Sequence, residues 1–338
     1  MKVNQQNIIV QKLYNEELKL KYLSNQLPAT QAAYLRVLAR ASEIEKSTGI
    51  DLHDFSLNQI EQLLKLLEST KLSTVMHAGA IIQSYIQWAI ELGLREDKIN
   101  PLDAVASGGW YKQFVNTNVA TLFSDEEIEN VIAGTINYQD KVVVRALYEG
   151  IYGKGYSELL NLKMSDINED SLEARLIDET SEGIKTRIVV ITPLLYKLFK
   201  EANKQTEYWK NNGIFSDYTR KKTSELIMNE YIIRTVVHPK ARSLNNVRSE
   251  SALINRRIGK IAKWHGQEGL TPTNIRNSGM LKMAYDIYKV KNDLDKNDYY
   301  SICKAYNVGR TKNGSYIYSR MRSDFLNIEN IKEVYGLE

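Results

Sequence analysis

The chain is poor in cysteine, histidine and proline, holding one, four and five of them in 338 residues. The lone Cys303 excludes an intramolecular disulfide. His53, His77, His238 and His265 are scattered and form no metal-ligand spacing with that cysteine, so neither a metal nor a cofactor is expected. No apolar run approaches the length that crosses a bilayer, and the opening Met1-Lys2-Val3-Asn4-Gln5-Gln6-Asn7 lacks an apolar signal region. The cytoplasm is therefore the default compartment, with no membrane partner. There is no internal repeat, no low-complexity tract and no large excess of one charge: 45 basic residues face 41 acidic ones, giving a net charge of +4. A balance this even says nothing about nucleic acid by itself, because clustering matters more than the sum.

What is present is ordinary globular composition, 43% hydrophobic and 25% charged, in a chain long enough for two domains. Helical periodicity runs through the first hundred residues, in Ala33, Val37 and Ala41, in Ile60, Leu63, Leu64 and Leu67, and in Val75, Ile82, Ile86 and Ala89. The stretch 96–121 holds Pro101, Gly108 and Gly109 with weak periodicity and reads as a linker. Ser124-Asp125-Glu126-Glu127 is a capping-box signature that opens a second domain. The division is thus 1–95, 96–121 and 122–338. Strands are expected over 173–178 and 187–192, a helix after Pro193, and mostly helix beyond. From Pro239 to His265 lie Lys240, Arg242, Arg248, Arg256, Arg257, Lys260 and Lys263 against the single acid Glu250. Ser249 caps a helix here whose Ile254, Ile258, Ile261 and Ala262 face the core, leaving Asn255, Arg256, Lys260 and Lys263 outward.

Residues 271–276 read Thr-Pro-Thr-Asn-Ile-Arg. This stretch resembles the Thr-Pro-His-x-Leu-Arg-His-Thr box of tyrosine recombinases with its first histidine replaced by Thr273. Gly183-Ile184-Lys185-Thr186-Arg187 resembles the family hairpin whose lysine reaches the scissile phosphate, and Lys185 matches that lysine. Ser315-Tyr316-Ile317-Tyr318 resembles the segment carrying the nucleophile, with Tyr318 at its position and Tyr316 as a second candidate. Aligned on Ser157-Glu158-Leu159, the first family arginine falls on Gly155, and the position after Gly309 is Arg310 where histidine or tryptophan is usual. In the amino-terminal half, Thr30 and Tyr34, Ser73-Thr74-Val75 and Ser84-Tyr85-Ile86-Gln87-Trp88-Ala89 resemble the family's core-binding domain.

The resemblance implies a mainly α fold with a small antiparallel β-sheet, a two-domain clamp around duplex DNA. It also implies a dismantled cutter. In the family two arginines hold the phosphodiester oxygens while a lysine and histidines manage protons, and losing one preorganised donor costs on the order of 10²–10³ in rate. Lys185, Arg276 and Tyr318 survive as vestiges; Gly155, Thr273 and Arg310 mark the losses. Expected DNA contacts are Lys185, Arg187, Arg242, Arg248, Asn255, Arg256, Arg257, Lys260, Lys263 and Arg276, with Lys71, Thr74 and His77 from the first domain and Arg36 and Arg40 as weaker candidates. The implied function is sequence-specific DNA binding without cleavage in a bacterial host, as in the integrase-fold lysogeny repressors of temperate phages. The alternatives are a recombinase that uses Tyr318 with Lys154 and Arg310 standing in, and an accessory protein that binds a recombinase through a carboxyl-terminal helix over about 327–337. In the family that helix packs on neighbouring subunits, which makes self-association on DNA an expectation.

Overall fold

A computed structural model of the chain describes residues 13–237, 247–311 and 313–337. It divides into two compact units, Met1–Asn118 and Val119–Glu338. The first carries α1 (Glu16–Ser24), α2 (Pro28–Thr48), α3 (Leu57–Leu66), α4 (Leu72–Glu91) and α5 (Gly108–Lys112). The periodic residues named above are its core: Val37, Ala41, Ile60, Leu63, Leu64, Val75, Ile82 and Ile86 are buried, around Leu52, Phe55 and Tyr85. Ser56 and Gln59 close a capping box that starts α3.

Beneath α1 lies a buried ionic cluster. The Lys19 ammonium has no exposure and donates to Glu45 Oε1 at 2.7 Å, to Asp51 Oδ2 at 3.2 Å and to the Tyr14 carbonyl at 2.7 Å. Asp51 Oδ1 meets His53 Nδ1 at 2.7 Å and accepts from the Tyr85 hydroxyl at 3.1 Å. A buried ammonium is tolerated only with its donors matched in this way.

The stretch expected as a linker differs. Residues 96–118 fold with the first unit, because α5 and the turn after it place Tyr111 and Phe114 in its core. The reason is a small residue on a neighbouring helix: a Cβ at Gly79 of α4 would sit 2.2 Å from the Tyr111 hydroxyl. Weak periodicity here reflects a short apolar anchor rather than an open connection.

The second unit begins at α6 (Asp125–Ala133), capped by Ser124 and Glu127 as the sequence predicts. It continues with α7 (Tyr138–Tyr148), α8 (Ser157–Leu160), the hairpin β1 (Glu173–Thr180) and β2 (Gly183–Val190), and α9 (Pro193–Lys204). A second hairpin, β3 (Glu207–Trp209) and β4 (Thr223–Glu225), precedes α10 (Ser251–Trp264), α11 (Pro272–Lys291), α12 (Lys296–Ala305), α13 (Tyr318–Asp324) and α14 (Ile328–Tyr335). The fold is mainly α, as expected, with two separate antiparallel hairpins among the described residues in place of one sheet. The β2 strand starts earlier and ends sooner than 187–192, since Ser181 and Glu182 make the turn and Thr192 already caps α9.

The core of this unit centres on α7, which packs against α6, α9, α10 and α11. The α11 contact is very close, for a Cβ at Gly279 would lie 1.8 Å from the Tyr148 carbonyl oxygen. The carboxyl-terminal helix α14 packs on its own chain: Ile331 is buried and Tyr335 stacks on Tyr285 of α11 at 3.9 Å, while Ile328, Val334 and Leu337 stay partly exposed.

Gly279→Ala should lower stability by about 1–3 kcal/mol through overpacking. Gly259→Ala on α10, where a Cβ meets nothing within 4 Å, should instead raise it, by roughly 0.5–1 kcal/mol. Urea unfolding checks both; equal midpoints would refute the close α7–α11 approach. Burial lowers the His53 pKa, but the hydrogen bond and charge of Asp51 outweigh it and leave the imidazole above its usual value. A raised histidine contributes stability that is complete below the unfolded value of about 6.5 and is lost as pH rises through the folded value. The melting temperature should therefore fall as pH rises past that value, and His53→Gln should flatten this limb.

Candidate nucleic-acid interface

The turn from Gly150 to Tyr156 holds Gly155, onto which the sequence comparison places the first family arginine. Gly155 is left-handed at φ 61°, and Tyr156 follows at φ 66°. The turn is pinned by Asp178 on β1, whose Oδ1 accepts from the Lys154 amide and the Ser157 hydroxyl, both at 2.7 Å. Glu158 is fully buried and accepts from Arg187 Nε at 2.6 Å and Nη2 at 2.8 Å, from the Tyr152 amide at 3.0 Å and from Asn307 Nδ2 at 2.9 Å. Arg187 also donates to the carbonyls of Ala305 and Gly150. Arg187, expected at DNA, is thus a strut between β2, Glu158 and α12.

Arg276 leaves the second turn of α11 and donates through Nη2 to the Tyr306 carbonyl, with its guanidinium 5.2 Å from the Tyr152 ring centre. Its Nε is buried without a partner, and burial lowers its pKa from the usual arginine value. It lines a cleft of about 340 Å³ with Lys154, Asp178, Asn307, Gly309 and Met321. The other residues singled out by the family comparison are elsewhere. Lys185 is exposed on the hairpin, paired with Glu182 at 2.7 Å. Tyr318 stacks on Tyr299 at 5.0 Å and lines a different cleft with Ser319, Arg322 and Asn327. Tyr316 accepts a hydrogen bond from Arg310, whose guanidinium sits 4.7 Å from that ring's centre. Thr273 is exposed in the first turn of α11, where Thr271 does the capping.

The basic cluster is clearer. Leu253, Ile254, Ile258, Ile261 and Ala262 bury one face of α10, while Asn255, Arg256, Lys260 and Lys263 are exposed. Ser249 does not cap the helix: Glu250 takes that position, and the serine hydroxyl donates to the Ile233 carbonyl. Arg257 corrects the sequence reading, because it is only 4% exposed. Its Nε lies 3.3 Å from Asp140 Oδ1, and its other nitrogens donate to the carbonyls of Gln139 and Arg234. Arg248 pairs with Glu179 on β1 at 2.6 Å. Arg242 lies outside the described residues, as do Lys240 and His238.

In the first unit, Thr74 and His77 are exposed in the opening turns of α4, and Lys71 occupies its N-cap position half-buried. Arg40 pairs with Glu43, and Arg36 donates back to the Ala32 carbonyl. The residue that sequence reasoning missed is Tyr156. Its hydroxyl donates to Asn255 Oδ1 at 2.7 Å, fixing the amide so that Nδ2 remains for a ligand, and burial pushes its pKa up to about 12, so the proton stays. No local signal pairs residues 156 and 255. Glu158 was visible in the Ser-Glu-Leu stretch, but its partner Arg187 is brought to it only by the hairpin fold.

Residues 122–336 match the family model described as the carboxyl-terminal catalytic domain of MrpR, and residues 13–91 match that of the MrpR amino-terminal core-binding domain. The SPbeta prophage-derived uncharacterized protein YopR of Bacillus subtilis (strain 168) is 26% identical over 327 residues, covering 96% of this chain and 98% of that protein. Among solved structures, XerA recombinase is 16% identical with a TM-score of 0.41, covering 95% of this chain and 96% of that one. The Tn1549 transposon integrase in complex with a circular intermediate DNA is 13% identical with a TM-score of 0.43, covering 88% and 96%.

The two adjacent arginines of α10 make a direct test. Arg257→Ala leaves Asp140 uncompensated and should cost about 3–5 kcal/mol of stability. Arg256→Ala should stay within roughly 0.5 kcal/mol. Denaturant titration of both variants is the check, and a small loss for Arg257→Ala would return that side chain to the surface.

Proposed function

The chain belongs to the MrpR family, and from that premise we propose that it binds a specific double-stranded DNA sequence without cutting it, as a transcriptional regulator of the phage-repressor kind. The observation that carries this reading is the contrast between the two sites. The α10 face offers Arg256, Lys260 and Lys263 with no ion-pair partner among the described residues, beside an Asn255 whose amide is already oriented. Lysines neutralise backbone phosphate, while arginine and asparagine address base edges. The reading without cleavage is supported by the separation of the residues that the family comparison assigns to cutting. Lys185 and Tyr318 do not line the cleft of Arg276, and Arg187 is consumed by Glu158. A relative of prophage origin supports the phage context of this reading. The family description of a catalytic domain favours a second reading, a recombinase that gathers these groups only on DNA.

Binding and cutting are tested together. Asn255→Ala and Arg256→Ala should each cost about 1–3 kcal/mol on the preferred duplex and much less on scrambled DNA. Lys260→Ala and Lys263→Ala should weaken both duplexes and reduce the salt slope by about one unit each. Incubation with nicked substrate should trap no covalent complex, and Tyr318→Phe should leave affinity unchanged. A protein–DNA adduct that disappears in Tyr318→Phe would establish the recombinase instead.

A further inference from the structure

A second cavity lies between α10 and the β3–β4 hairpin, separate from the cleft of Arg276. Its volume is about 350 Å³, within the range of small-molecule sites. Tyr208, Val236 and Leu253 give it apolar walls, and Ser224 and Thr235 contribute hydroxyl-bearing side chains. Lys210, Arg256 and Lys260 line it as well, and no carboxylate does. None of these three cations has an ion-pair partner among the described residues. The nearest buried acid of this region, Asp140, is already engaged by Arg257 and by the Tyr208 hydroxyl at 2.8 Å. Unbalanced positive charge at a partly enclosed cavity calls for an anion, and an arginine with lysines suits phosphate oxygens. The apolar walls suit a body that carries the phosphate.

We propose that this cavity is a phosphate-binding site, taking the phosphate of a small nucleotide-like ligand or a backbone phosphate of bound DNA. The walls favour the first source. Because Arg256 and Lys260 also belong to the proposed DNA face, such a ligand competes with DNA for the same two cations and releases it; this last step rests on the DNA-binding reading. Lys210 belongs to the cavity but not to the α10 face, so it separates the two roles.

The test uses the full chain, titrated calorimetrically with AMP, adenosine and inorganic phosphate, alongside DNA titrations with and without AMP. AMP should bind and adenosine should not. Lys210→Ala should weaken AMP at least about tenfold, a change of roughly 1.4 kcal/mol, while leaving DNA affinity unchanged. AMP should also lower the parent's affinity for DNA. If DNA is the source of the phosphate, AMP does not bind, but Lys210→Ala weakens every duplex and reduces the salt slope by about one unit. The proposal is overturned if the parent binds neither AMP nor phosphate and Lys210→Ala changes neither DNA affinity nor its salt slope. Should the parent bind no DNA at all, the AMP titration still decides the cavity, so the two readings fail separately.

Discussion

The buried guanidinium of Arg257 determines how α10 is presented. Sequestering that charge is costly unless it is paired and hydrogen-bonded, and here the Asp140 carboxylate supplies the opposite charge while the Gln139 and Arg234 carbonyls accept hydrogen bonds. Gln139 in turn donates to the carbonyls of Ala202 and Ile232, and the Tyr208 hydroxyl holds the second oxygen of Asp140. One residue therefore ties α7, α9, the segment around residue 233 and the β3 strand to α10. With position 257 committed inward, the helix rotation is fixed, and positions 255, 256, 260 and 263 must face out.

The same use of charge explains the Arg276 cleft. Preorganised donors stabilise a developing negative charge only while they remain available to it. Around this cleft the donors are largely occupied: Arg187 by Glu158 and two carbonyls, the Lys154 amide and Ser157 by Asp178, and Asn307 by both carboxylates. The buried Nε of Arg276 has no partner. Two acids have thus turned a region rich in donors into a rigid joint between the Gly150–Tyr156 turn, the first hairpin and the end of α12.

Much of the fold was legible because the signals were local. The capping box at Ser124, the helices with periods through 33–41, 60–67 and 75–90, and the hairpin around Lys185 are all contained within a few turns of chain. So was the solvent-facing set on α10. What escaped was long-range. Arg257 read as one more member of a basic run because its acid, Asp140, is 117 positions away. Arg187 looked like a DNA contact since Glu158 reaches it only after β2 folds back. Phe114 and Tyr111 sat among glycines and read as linker, although both join the core of the first unit and α4 leaves a space for Tyr111 at Gly79. In each case a polar or isolated apolar residue found a partner that no neighbouring sequence announces.

The left-handed turn at Gly155 restricts which residue its position can carry. The space beside it is open, so a larger side chain would meet no neighbour. The obstacle is the backbone itself, since a side-chain-bearing residue in that conformation costs about 1–2 kcal/mol, and Tyr156 already occupies the next left-handed position. An arginine placed at position 155 would find room for its side chain but would have to hold two consecutive left-handed residues, so the limit on what this turn can carry is conformational rather than steric.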